Sequence, residues 1–219
     1  DRKGQIKSIY WDDYRRHLKI NEDWPDTLKG PINALDRNTE SILEYCADPQ
    51  KSLTTRKGMV VGNVQSGKTA NYLGLICKAA DAGYKVVIVI SGMLEDLRRQ
   101  TQIRTEEGFL AKNVETGESV GVGLERIRKS SEMPNCVTNR KKDFTRSLVD
   151  SSGYTVESFK ETFLIVIKKN ASILKNLNEW IEDDLQRIGR QKVDTSLLII
   201  DDEADNASIN TKASSNTST

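Results

Sequence analysis

Gly62-Asn63-Val64-Gln65-Ser66-Gly67-Lys68-Thr69 sets a glycine at each end of a short loop and follows the second with Lys and Thr. That spacing suits the holding of a polyphosphate. Glycine lets the loop curl until its backbone N–H groups point inward at phosphate oxygens. The helix that starts there adds its positive end, Lys68 can reach the β- and γ-phosphates, and the Thr69 hydroxyl can ligate Mg²⁺. Ala70 closes the nucleotide-contacting segment 62–70.

A second chemical signal lies downstream. Leu197-Leu198-Ile199-Ile200-Asp201-Asp202-Glu203-Ala204-Asp205 is an apolar run ending in carboxylates. A carboxylate at the C-terminal end of a buried strand can hold Mg²⁺ through water, and the next can orient and deprotonate an attacking water. Asp202 is assigned to the metal with Thr69, and Glu203 to the base, so Lys68, Asp202 and Glu203 form the candidate catalytic set. Asp201 leaves another register open, with Asp201 on the metal and Asp202 as base. An acidic loop after a strand is the plain alternative.

Weaker signals are basic. Ser91-Gly92-Met93-Leu94 leads into a helix bearing Arg98, Arg99, Gln100 and Arg104, and a further cluster holds Arg126, Arg128, Lys129, Arg140, Lys141, Lys142 and Arg146. Gly92, Arg98, Arg99, Gln100, Arg140, Lys141 and Lys142 are candidate contacts to a nucleic-acid backbone. A packed helix start and a solvated charged face explain the same residues. No aromatic side chains interleave with the basic cluster to stack bases.

Elements must position these groups. Met59-Val60-Val61 reads as a short strand entering the glycine loop, and the helix after it should stop at Gly83. Residues 86–90, 163–167 and 197–200 carry the continuous apolar signature of strands covered on both faces. Asn170 caps a helix whose Ile173, Leu174, Leu177, Trp180, Ile181, Leu185 and Ile188 keep helical spacing. Alternating strands and helices predict an α/β fold with a mostly parallel central sheet. Upstream, residues 5–19 read as an amphipathic helix, Gly30-Pro31 as a break, and a second helix begins near Asp36. The expected organisation is a helical lead-in at 1–52, a core at 53–210 and a linker-like tail at 211–219. Residues 108–160 are read as an inserted, partly mobile segment within that core.

Composition narrows the field. The 219 residues are 37% hydrophobic and 30% charged, with a net charge of +1. This matches a globular chain without a global basic field, and no apolar run reaches the roughly 20 residues of a membrane helix. Three dispersed cysteines and one histidine give no zinc spacing, and the cysteines read as reduced thiols of a cytoplasmic protein. The start at Asp1 without Met predicts a fragment or a processed chain.

Asp202-Glu203-Ala204-Asp205 spells the DEAD motif of superfamily-two helicases. Residues 62–74, 78–85, 97–102 and 202–210 resemble the bacterial Z-one-domain family, described as candidate endonucleases or restriction-associated ATPases. The resemblance covers roughly residues 55–110 and 160–210. It implies a RecA-like P-loop NTPase lobe that takes ATP with Mg²⁺ and acts on DNA in restriction or phage defence. A nuclease or methyltransferase partner is implied as well. Adenine rather than guanine follows from the resemblance, since no Asn-Lys-x-Asp motif occurs. A complete motor also needs a second lobe and its arginine, which the resemblance puts in the rest of the parent chain, so slow hydrolysis is expected here. No nuclease site is legible. The rival readings are an ATPase switch that remodels a protein partner and a nucleotide-binding scaffold without turnover.

Overall fold

A computed structural model of the chain describes residues 7–51, 54–61, 67–124, 133–155, 160–187, 189 and 195–204. Its strands are β1 (Val86–Ser91), β2 (Asn135–Cys136), β3 (Phe163–Lys168) and β4 (Leu197–Asp201). They pair in the order β2-β3-β1-β4, and every neighbour is parallel. The fold is therefore α/β, with an all-parallel four-stranded sheet flanked by helices.

Helices follow from capping and apolar spacing. They are α1 (Tyr10–Ile20), α2 (Pro31–Tyr45), α3 (Lys68–Ala82), α4 (Glu95–Thr105), α5 (Arg146–Ser152) and α6 (Ala171–Arg187). The Asn170 side chain caps α6, accepting from the N–H groups of Ser172 and Ile173 at 2.9 and 3.3 Å. Gly83 ends α3 with φ 101°, a left-handed conformation that glycine adopts without steric cost. Among the described residues no helix is long and apolar enough to cross a membrane.

Strand parity divides the core. Val87, Val89, Leu164 and Val166 face one way and pack with α1, α2 and α3, joined by the partly buried Leu198 and Ile200. Val86, Ile88, Phe163, Ile165 and Ile167 face the other way, packing with Phe144, Val149, Leu177 and Trp180, and Leu197 joins them. Successive side chains of a strand point to opposite faces, so this two-sided burial explains the unbroken apolar runs of β1 and β3. The expectation of the same cover for 197–200 is corrected: β4 is at the edge of the described sheet and leaves Ile199 56% exposed.

Three further sequence expectations need correction. Gly30-Pro31 starts α2 instead of breaking the chain: Gly30 is the N-cap and Pro31 takes the first helical position, where its missing N–H costs nothing. Met59-Val60-Val61 forms no strand. These residues are 82%, 65% and 83% exposed, and no described strand pairs with them. Residues 108–160 are woven into the core where described, not inserted beside it. They supply β2 and α5, and bury Phe109, Leu110, Val122, Phe144 and Val149.

The lead-in helices are tied to α3 by charge. The Lys78 ammonium, 7% exposed, pairs with Asp36 at 2.6 Å and Glu40 at 3.0 Å, and lies 4.9 Å from the centre of the Trp11 ring. A buried ammonium without such partners costs several kcal/mol, so α2 must dock wherever α3 lies. One turn further along α3, Asp81 caps α1. Its carboxylate accepts from the N–H groups of Ile9, Tyr10 and Trp11 at 2.8, 2.9 and 3.0 Å.

Burial raises the Asp81 carboxyl from its ordinary 3.8 to about 6, against the pull of those three donors. Between those values the folded chain holds a proton that the unfolded chain has released. The group's contribution to stability is thus fully present below about pH 4 and is lost as the pH rises through about 6. Asp81→Asn should remove this dependence. The urea midpoint of the parent, relative to Asp81→Asn, is expected to be lower at about pH 7 than at about pH 4.

Candidate functional site

Parallel strands deliver their C-terminal ends to one edge, and ligands of open α/β sheets bind at that edge. Here it carries a cleft of about 520 Å³ whose walls include Thr69 and Tyr72 of α3, Gln100 and Thr101 of α4, and Asp202 and Glu203 just beyond β4. Two groups of widely separated residues that the sequence marked for chemistry thus meet in one space.

Residues 62–66 of the glycine loop lie outside the described residues; Gly67, Lys68, Thr69 and Ala70 are described. Gly67 is the N-cap of α3 with φ 73°, a left-handed position that L side chains rarely take. The N-terminus of α3 has no side-chain cap and no acidic residue in its first turn. The contrast with α4 is informative, because that helix fills its first turn with Glu95 and Asp96. Of these two helices, α3 is the one that leaves its positive end to an outside anion.

Parity also separates the carboxylates. Leu198 and Ile200 face α3, and Asp202, two further on, opens into the cleft with Thr69. Its N–H extends the ladder to the Ile90 carbonyl at 2.9 Å. Asp201 has the opposite parity and pairs with the Lys169 ammonium at 3.0 Å. Burial, then the adjoining Glu203 charge, pushes the Asp202 carboxyl above its usual range, and Lys68 pulls it back. Glu203 rests on Gly92: a Cβ added there would lie 3.1 Å from Glu203 Oε2.

Tyr72 escaped the sequence reading. It lies three residues after Thr69, on the same helical face, and this spacing was the available signal. Burial raises its hydroxyl pKa, the Asp202 charge adds to this, and hydrogen bonds with Thr101 and Thr69 oppose it. The phenol therefore stays protonated and links α3 to α4 beside the carboxylates.

The candidate nucleic-acid contacts do not form one surface. Arg98 is corrected: it is 0% exposed and spends its donors inside the fold. They go to Glu95 at 2.7 Å, to the Asn139 carbonyl at 2.9 Å and to the Arg140 carbonyl at 3.3 Å. Arg140 is turned to buried Glu106 at 2.6 Å, and Lys141 pairs with Glu115 at 2.6 Å. Gly92 is buried under Glu203, whereas Arg99, Gln100 and Lys142 are exposed. Comparison with family models, with curated proteins and with solved structures gives no match for this chain.

Proposed function

We propose that this chain is a RecA-like lobe that binds ATP with Mg²⁺ and hydrolyses it. The observation that carries the reading is the meeting of Thr69, Asp202 and Glu203 in one cleft, beside the unopposed N-terminus of α3. The donors fit the metal: a hydroxyl and a carboxylate are hard oxygen ligands, and the cleft is open enough for Mg²⁺ to keep several waters. Magnesium bound there would neutralise phosphate charge. Lys68 and the backbone at α3 would bind and orient the phosphates, and Glu203 Oε would take the proton of the attacking water.

Removal of the phosphate-binding ammonium tests this reading. Lys68→Ala, at an exposed position, is expected to weaken Mg·ATP binding by about 10-fold to 100-fold, with the melting temperature unchanged. Isothermal calorimetry measures the affinity and a thermal melt the stability, and equal affinity in the two proteins would remove the basis for a phosphate site.

Action on DNA in restriction or phage defence, with a second lobe and a nuclease or methyltransferase partner, is proposed from the sequence resemblance. One observation favours the switch reading instead. Three of the expected DNA-contacting cations are held by carboxylates, while Met93 and Leu94, beside the cleft, are 55% and 67% exposed. Phosphate release measured with and without duplex DNA separates the two readings. Acceleration supports the DNA-acting motor, and an unchanged rate favours a protein partner.

A further inference from the structure

One cation behind the acidic turn has no part in the chemistry above. Lys169 follows β3 directly, and its side chain is 17% exposed. Its ammonium holds the Asp201 carboxylate at 3.0 Å and donates to the Glu203 backbone carbonyl at 2.9 Å. Its own N–H donates to the Gly92 carbonyl at 3.2 Å. Gly92 is the surface on which the Glu203 carboxylate lies, with a hypothetical Cβ 3.3 Å from Glu203 Cδ. A single residue thus grips both the main chain from which the Glu203 side chain hangs and the floor beneath it.

From this closed arrangement we infer that Lys169 is the positioning residue of Glu203. The inference rests on the reading of Glu203 as the base. Asp202 is the last residue whose N–H is bonded to β1, so residues 203 and 204 leave the ladder and need another restraint. Lys169 supplies it from the face of the sheet opposite α3, and the ammonium is not among the groups lining the cleft. It holds the base without competing for phosphate. Gly92 is required for the same reason, because any side chain there would push on Leu97 and on the Glu203 carboxylate.

Lys169→Met keeps the length and the apolar stem and removes the donors. Turnover is expected to fall by about 10-fold to 100-fold, the cost of misplacing a catalytic group by about 1 Å. The KM for ATP and the calorimetric Kd for Mg·ATP should stay within about threefold of the parent, and Lys169→Arg should recover most of the rate. Independently of turnover, the Glu203 Cδ resonance of the isotope-labelled, nucleotide-free chain should shift in Lys169→Met and return in Lys169→Arg. Placed on Glu203→Gln, Lys169→Met should cost less than about threefold more, because the group it positions is already inactive. Should Lys169→Met not fold, Gly92→Ala displaces the same carboxylate from its other side and should lower kcat at constant Kd. A Lys169→Met rate within threefold of the parent, or a loss that adds in full to Glu203→Gln, would overturn the assignment while Glu203 kept its role. If Glu203→Gln itself turned over normally, the base reading would fail, and an unshifted Glu203 resonance would then refute the placement too.

Discussion

Glu203→Gln is expected to lower single-turnover phosphate release from ATP by about 100-fold to 10,000-fold, while the protein goes on binding Mg·ATP. Glutamine has nearly the same shape, so it can lie on Gly92 as the carboxylate does, where an added Cβ would come within 3.1 Å of Oε2. What disappears is the charge and the lone pair basic enough to accept a proton from water. Proton transfer by a positioned side chain is worth this range of rate, whereas a lost surface contact is not. Binding should hold or tighten. Glu203 is one of the charges that raise the Asp202 carboxyl, and removing it relieves repulsion where a polyphosphate must dock.

Two measurements decide the matter: release of labelled γ-phosphate with enzyme in excess, and the Kd for Mg·ATP. A slow rate with tight binding is the signature of a missing base. A rate within about fivefold of the parent would show that Glu203 takes no proton, and the nucleotide-binding scaffold would become the better description. Loss of both rate and binding would point to a collapsed turn. The Lys169 clamp argues against that outcome, because it holds the Glu203 carbonyl and not its side chain.

Much of the frame was legible because strong local signals and tertiary packing agree. β1 and β3 carry uninterrupted apolar runs that the fold buries, and α3 and α6 end or begin on Gly83 and Asn170, each with a backbone task that suits its type. Tertiary context decided the rest. Met59-Val60-Val61 has strand composition, yet a strand exists only beside a partner, and no described strand pairs with it. Arg98 looks from its neighbours like part of a basic face. Its burial is set by Asn139, Arg140 and Asp143, about forty positions away in sequence. Residues 108–160 are polar on average, but single buried side chains such as Phe109 and Phe144 do the anchoring, and averages hide them. At the site, the carboxylates and Thr69 could be named in advance. Lys169 could not, because its partners come from the ends of two other strands.

The register of the acidic turn yields the last prediction, and strand parity makes it sharp. Asp202→Asn should reduce turnover at limiting Mg²⁺ by about 10-fold to 100-fold, the usual effect of losing a group that binds metal through water. Raising Mg²⁺ should recover part of the loss. Asp201→Asn should stay within about fivefold, since an amide oxygen remains for Lys169 and the residue faces away from α3. Stability should move the opposite way from activity. Asp202 is a half-buried carboxylate whose charged form is penalised by burial, then by Glu203, with Asp201 adding. Neutralising it relieves a repulsion that the fold tolerates, so the melting temperature of Asp202→Asn should hold or rise as the rate falls. Magnesium titrations of turnover on both variants, with a thermal melt of each, check all four expectations. If Asp201→Asn were the magnesium-sensitive variant, the metal would belong to Asp201 and the base to Asp202, in contradiction to the alternation of Leu198, Ile200 and Asp202 along one face. A fall in both rate and melting temperature at Asp202 would instead make that carboxylate a structural tie, leaving Thr69 without its metal-binding partner.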